Sequence, residues 1–258
     1  CFPVRAVAMH SSEVSLAPHE VAVLVPAAGR GRRLGGTPKQ FRTLGEAPLL
    51  AQVLLVFERH PRVGHLVVAA PAGQTTDVAR RLRPQGLDGL TAVVEGGDSR
   101  QASVRNALRA VPASVKVVLV HDAARPFVSA AQVQAVVQSA AAAGAASLAV
   151  PVADTLRRGD EATLGETVPR EGLYRMQTPQ AARREWRETA HRRAVAQTGA
   201  ATDDVGLLQQ AGYEVHLVRG HRRNFKITTP EDWALAQRLW PTWQEDPARH
   251  RHSWTSSE

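Results

Sequence analysis

The chemistry-bearing stretch of this 258-residue chain is the loop from Leu24 to Phe41, which reads LVPAAGRGRRLGGTPKQF. Glycines let backbone N–H groups turn inward and approach a ligand closely, and the arginines and Lys39 supply positive charge that an apolar ligand would not need. A strand that runs into such a loop is a common way for an α/β protein to hold phosphate groups. The loop fits neither of the two commonest phosphate motifs. Gly29, Gly31 and Gly35 are spaced G-x-G-x-x-x-G, so the dinucleotide fingerprint fails at Leu34, and no acidic residue follows at the distance a ribose contact requires. A P-loop needs Gly-Lys-Ser/Thr in a row, whereas Gly36, Thr37 and Pro38 precede Lys39. A plain strand-to-helix turn is the alternative, and the density of cations argues against it.

The basic residues carry a sharper signal. Of the 32, only Lys39, Lys116 and Lys226 are lysine and the other 29 are arginine. In a chain this biased toward arginine, a retained lysine marks a place where a compact ammonium serves and a guanidinium fork does not. Lys116 precedes an apolar run and reads as an ordinary edge residue. Lys39 follows the glycine loop and Lys226 lies in Asn224–Thr228, so these two are catalytic candidates. Asp122, at the end of a buried run and beside small residues, is placed to meet a hard cation such as Mg²⁺ bridging phosphates, or else to form a structural ion pair with Arg125. His121 reads as a packed strand-end histidine. The stretch from Glu95 to Ser103 combines two glycines with Asp98 or Ser99 as a helix cap, and it reads either as a close backbone approach to a ligand or as a capped turn.

These residues need a scaffold. Apolar, β-branched runs fall at 21–25, 65–70, 91–95, 116–121, 146–151 and 213–218, with helical stretches near 48–59, 74–83, 99–110, 130–143, 181–197 and 203–211. Such alternation predicts a Rossmann-like α/β fold, a mostly parallel sheet with helices on both faces, and ligands bound beyond the carboxyl ends of the strands. Residues 151–178 interrupt the alternation with two extended arms around a polar turn, a protruding β-hairpin suited to a dimer contact or lid. Thr229-Pro230-Glu231-Asp232 opens the last helix. Beyond Pro241 the chain is polar without apolar period, so a single domain over 20–240 is expected, with flexible termini at 1–19 and 241–258.

Composition narrows the partners. The net charge of +8 favours anionic ligands. The cations are dispersed and only two tyrosines are present, which points to small phosphorylated molecules and away from nucleic acid. No apolar run reaches the ~20 residues needed to span a bilayer. One cysteine, Cys1, allows no disulfide within the chain and no thiolate cluster, in keeping with a cytoplasmic setting.

Taken in order, the glycine loop with Pro38-Lys39-Gln40, Gly96-Gly97-Asp98 with Ser103, and His121-Asp122 through Arg125-Pro126 resemble the 2-C-methyl-D-erythritol 4-phosphate cytidylyltransferase family. So do the stretches Pro151–Thr155, Thr178–Gln180, Thr202–Asp204 and Asn224–Thr228, and the likeness covers about residues 20–240. Arg30 inside the loop, and Val205-Gly206 in place of the frequent Ala-Ser, depart from the pattern. The resemblance implies a nucleotide-diphospho-sugar transferase type of fold and CMP transfer from CTP to a polyol phosphate with Mg²⁺, in a homodimer built through the arm. A sister activity on ribitol 5-phosphate and a non-catalytic nucleotide-binding protein are the competing readings. By the same resemblance Arg33 and Lys39 clamp the CTP phosphates, and Lys226 bridges the α-phosphate and the attacking phosphate. Asp122 lies near Mg²⁺ and substrate hydroxyls. Ala27, Ala28, Gly29, Gly97, Asp98 and Ser103 hold cytidine. Thr155 and Arg170, from the partner subunit, and Thr178 contact the polyol phosphate.

Overall fold

The structure, a computed structural model, describes residues 13–29, 38–195 and 203–250. Eleven strands are present among the described residues: β1 (Val21–Pro26), β2 (Thr43–Leu44), β3 (Ala47–Pro48), β4 (Val63–Ala70), β5 (Leu90–Glu95), β6 (Val117–Val120), β7 (Ala145–Pro151), β8 (Leu156–Gly159), β9 (Leu164–Val168), β10 (Tyr174–Arg183) and β11 (His216–Arg219). Seven of them form one sheet in the order β11-β7-β10-β6-β1-β4-β5. β10 runs antiparallel to both β6 and β7, and the remaining pairs are parallel.

The uninterrupted apolar run of β1 follows from burial on both faces. Val21, Val23 and Val25 point into one core together with Leu66, Val68 and Leu119. Ala22 and Leu24 point into a second, with Val67, Val118 and Val120. Helices α1 (Leu49–Glu58) and α4 (Ala130–Ala143) cover the first face, and α3 (Arg100–Leu108) covers the second. α2 (Thr75–Leu82) packs near β5, while α5 (Arg184–Val195) and α6 (Asp204–Gln210) pack on each other beside β10. α4 begins with a reciprocal Ser129–Gln132 capping box. It ends at Gly144, whose φ of +94° and contact with the Trp186 ring leave no room for a Cβ.

Two expectations need correction. The helix expected from 181 starts at Arg184, because Gln180–Arg183 extend β10 between β6 and β7. The expected flexible ends are packed in part. α7 (Pro230–Glu245) runs through Pro241, and α8 (Pro247–His250) follows it. Trp240 and Trp243, three residues apart, share a helix face and are buried around Phe127. Arg249 stacks over Trp240 and donates to Gln52 Oε1 (2.8 Å). At the other end Leu16 is buried, and the Val14 N–H donates to the Ala141 carbonyl (3.0 Å). The expected hairpin is present as the antiparallel pair β8–β9. No helix among the described residues is long and apolar enough to cross a membrane.

Candidate active site

The carboxyl ends of β1, β4, β5 and β6 open onto one cleft of about 760 Å³. Its walls bring together Ala27, Ala28 and Gly29 after β1, and Gly97, Asp98 and Ser103 after β5. Lys39, Arg100, Asp122 and Lys226 bring its charges. Ser103 accepts from the Gly97 N–H (3.1 Å) and lies 2.9 Å from the Ser99 carbonyl, to which its hydroxyl donates. A Cβ on Gly96 would lie 2.3 Å from Ala28 Cβ, so only glycine allows the two loops to meet. Gln40, a residue to which the sequence assigned no role, donates to the carbonyls of Ala27 (2.7 Å) and Gly29 (2.9 Å) and fixes the mouth of the glycine loop. Arg33 falls in 30–37, outside the described residues.

Lys39 Nζ donates to the carbonyl of Ile227 (2.5 Å), the residue that follows Lys226. Two lysines that are far apart in sequence therefore meet at one site. The Lys226 segment is fixed on several sides. Ile227 N–H donates to the Ala124 carbonyl (2.9 Å), Phe225 stacks on Phe127, and Thr228 Oγ1 donates to Asp232 Oδ2 (2.7 Å).

Asp122 is the electrostatic centre. Its Oδ1 accepts from Arg100 Nε (3.2 Å), and its Oδ2 faces both Lys226 Nζ (2.9 Å) and Arg125 Nε (3.4 Å). Burial alone would raise its carboxyl; the charges of Arg100, Lys226 and Arg125 outweigh that and hold it well below the usual carboxylate range. The expected ion pair with Arg125 is present as one of three. Arg125 is also tied to the Asn224 carbonyl (2.9 Å) and the Met176 carbonyl (3.3 Å). Lys226, half exposed, has no partner but Asp122 among the described residues. When an anion enters the cleft, Lys226 is accordingly the cation most able to leave the carboxylate.

Behind Asp122 lies a buried chain of hydrogen bonds. His121 Nε2 is 3.0 Å from the Arg125 carbonyl, which can only accept, so that nitrogen carries the proton. Nδ1 is then an acceptor and takes the hydroxyl proton of Thr178 (3.1 Å). Thr178 Oγ1 in turn accepts from the Asp122 N–H (3.0 Å). Burial pushes His121 down to about 4, which keeps the ring neutral in this role. Thr178 does not line the cleft, and within the chain its hydroxyl holds Asp122 rather than reaching a ligand. Thr155 and Arg170 also lie away from the cleft. Both are exposed at the base of the arm, and Arg170 donates to the Ala153 carbonyl.

A divalent cation fits this site on one condition. No group of three His, Cys, Asp or Glu side chains among the described residues could hold a metal ion, and both Asp122 oxygens already face cations. Mg²⁺ commonly binds through one or two carboxylates plus substrate phosphates. The donor set therefore suits a metal–nucleotide complex rather than a free ion.

A doubly covered sheet, with a glycine loop after its first strand and two lysines sharing one cleft with a strand-end aspartate, defines a nucleotidyltransferase-type α/β protein. The family model of 2-C-methyl-D-erythritol 4-phosphate cytidylyltransferase matches residues 21–240. A relative of that name from Salinibacter ruber is 70% identical over 229 residues, covering 89% of this chain and 96% of the relative. Another from Deinococcus radiodurans is 47% identical, covering 86% and 92%. The crystal structure of 2-C-methyl-D-erythritol 4-phosphate cytidylyltransferase from Thermus thermophilus superposes with a TM-score of 0.74 at 39% identity, covering 86% of this chain and 98% of that one. The chain belongs to the 2-C-methyl-D-erythritol 4-phosphate cytidylyltransferase family.

Proposed function

We propose that the chain transfers CMP from CTP to 2-C-methyl-D-erythritol 4-phosphate, releasing pyrophosphate, as a step in isoprenoid precursor synthesis by the non-mevalonate route. The observation that carries this reading is the convergence of Lys39, Lys226 and Asp122 on one cleft. A phosphate oxygen of the polyol phosphate attacks the α-phosphorus of CTP. The new P–O bond forms as the bond from the α-phosphorus to the bridging oxygen breaks, and that electron pair leaves with pyrophosphate. The nucleophile is already anionic, so the protein has to align two repelling anions and neutralise the charge of the transition state. Lys39 and Arg33 clamp the CTP phosphates. Lys226 leaves Asp122 to lie between the α-phosphate and the attacking phosphate. Ala27, Ala28, Gly29, Gly97, Asp98 and Ser103 hold cytidine, largely through backbone groups. Asp122, together with the nucleotide phosphates, would hold Mg²⁺, which would offset phosphate charge.

The exposed Leu164, Leu173, Tyr174 and Met176 on and beside the arm favour a homodimer. In it Thr155 and Arg170 contact the polyol phosphate in the partner's cleft, while Thr178 supports that subsite through Asp122. The setting is the cytoplasm. Pyrophosphate release is expected with CTP and 2-C-methyl-D-erythritol 4-phosphate in Mg²⁺, and no more than a trace with ribitol 5-phosphate. Comparable rates with both acceptors would count against the assigned substrate, and no release with either would overturn the activity.

Lys39→Arg is expected to lower kcat at least about tenfold, roughly 1.4 kcal/mol of transition-state stabilisation. The Lys39 ammonium sits 2.5 Å from a backbone carbonyl, where a planar fork does not replace a compact charge. A variant with wild-type turnover would show that the retained lysine has no special role.

A further inference from the structure

Arg100, Asp204 and Arg187 form a line of alternating charge that runs from the interior to Asp122. Arg187 on α5 is fully buried and donates to the Gln180 carbonyl (2.9 Å) and the Val118 carbonyl (3.3 Å), which ties it to β10 and β6. Its Nη1 is 2.8 Å from Asp204 Oδ1. Asp204, itself buried at the start of α6, donates its N–H to Gln180 Oε1 (3.1 Å), and its Oδ2 accepts from Arg100 Nη1 (2.5 Å). Arg100 then reaches Asp122 Oδ1 through Nε (3.2 Å).

Charge balance alone does not call for this arrangement. Arg187 and Asp204 already neutralise each other, and Asp122 already has Arg125 and Lys226. The Arg100 side chain is 28% exposed, so water could solvate it. Buried ion pairs are moreover weak contributors to stability compared with apolar packing of the same volume. What the line does supply is orientation. A planar guanidinium held at Nε by one carboxylate and at Nη1 by another has its plane fixed, and Asp204 is itself fixed by Arg187 and Gln180. Asp122 thus stays aimed when Lys226 leaves its Oδ2 for a phosphate.

We infer that Arg187 and Asp204 are positioning residues for the transfer reaction, acting on Asp122 through Arg100. The inference rests on the cytidylyltransferase reading, so wild-type product formation is measured first; an inactive wild type would overturn that reading, whereas the variants below test only the relay. Arg100→Lys keeps a cation beside Asp122 but offers a single nitrogen in place of the planar fork that holds the two carboxylates at separate nitrogens. It is expected to lower kcat about 10- to 100-fold, the usual cost of losing an orienting partner. Calorimetric binding of CTP with Mg²⁺, in the absence of the polyol phosphate, is expected to change less than about threefold. A double-mutant cycle supplies the readout that a purely structural role would not move. In an Asp122→Asn background, followed with radiolabelled CTP, Arg100→Lys should cost less than about threefold more, because a residue that acts through Asp122 has little left to orient. A crystal structure of Arg100→Lys should show the Asp122 carboxylate in a different rotamer. Asp204→Asn is expected to reproduce the loss in kcat where a thermal melt shows it folded; should it fail to fold, the Arg100 cycle and crystal structure decide. Additive losses, an unmoved Asp122, or a fall in CTP binding equal to the fall in kcat would each overturn the relay.

Discussion

Lys226→Ala is expected to lower kcat by at least about 100-fold, the scale of removing one preorganised partner of a developing charge. The loss should fall on turnover rather than folding. The Lys226 ammonium is half exposed and touches only Asp122 among the described residues, while its backbone is held by bonds that do not involve the side chain. Ile227 is buried and hydrogen-bonded to Ala124, and Phe225 stacks on Phe127. Thr228 and Thr229 are tied to Asp232 at the start of α7. Removing the amine therefore leaves the segment in place and strips the cleft of one charge. Asp122 keeps Arg100 and Arg125, so it stays ionised and no buried charge is orphaned. Steady-state rates with saturating CTP and 2-C-methyl-D-erythritol 4-phosphate, set beside a thermal melt, check this. Turnover near wild type in a folded variant would remove Lys226 from the reaction.

The positions most legible in the sequence were those where local pattern and tertiary role coincide. β1 reads as a continuous apolar run because alternate residues enter two different cores. α4 reads cleanly because Ser129 and Gln132 cap it and Gly144 stops it, and it spans the expected 130–143. Ala27, Gly97 and Asp122 could be placed at one cleft because doubly wound sheets open their sites beyond their strand ends. The end of β10 was illegible for a physical reason. The strand's buried half, Gln177–Arg183, contains a proline and two alanines but no β-branched residue beyond Thr178, and pairing with β6 and β7 on both sides overrides that weak propensity. The C-terminal segment misled in the opposite way. Beyond Pro241 its described apolar residues are Trp243 and Ala248, too few to give a period, yet Trp243 joins Trp240 on one helix face to complete the cluster around Phe127.

Of the relay behind Asp122, only Asp204 left a local mark, within the Thr202–Asp204 stretch, and its role there was not legible. Arg100, Arg187 and Asp204 meet only because α3, α5 and α6 converge, and in a chain with 29 arginines no single arginine stands out. The scarcity of lysine is what made Lys39 and Lys226 visible. Gln40 sat within a recognised motif but acquired a role only when its amide was seen bridging two carbonyls of the glycine loop.

Acid should destabilise the protein well above the pH at which its carboxylates titrate. Burial holds both His121 and His191 down to about 4, against an ordinary value of 6.5. Well above pH 6.5 both rings are neutral whether the chain is folded or not, and neither affects stability. As pH falls from 6.5 toward 4, the unfolded chain takes up these protons and the native state refuses them, so stability is lost across that window and the loss levels off below it. Each ring can cost up to about 3 kcal/mol over the full window, a large share of the roughly 5–15 kcal/mol that a domain has. Asp122, with its lowered carboxyl, adds a loss only near and below the ordinary aspartate value of 3.8. Urea unfolding at pH 8.5, 7.5 and 5.0 should therefore show a midpoint that is steady between the first two and clearly lower at the third. His191 separates the two contributions. It is buried on α5 with no hydrogen-bond partner for either ring nitrogen among the described residues, beside Arg187, whose charge further disfavours protonation. Replacing an unsatisfied buried ring by an apolar side chain removes a desolvation cost, so His191→Leu should raise stability at pH 7.5 by about 1 kcal/mol, and by more at pH 5.0. A His191→Leu variant as acid-sensitive as wild type would mean that His191 is not refused its proton in the native state.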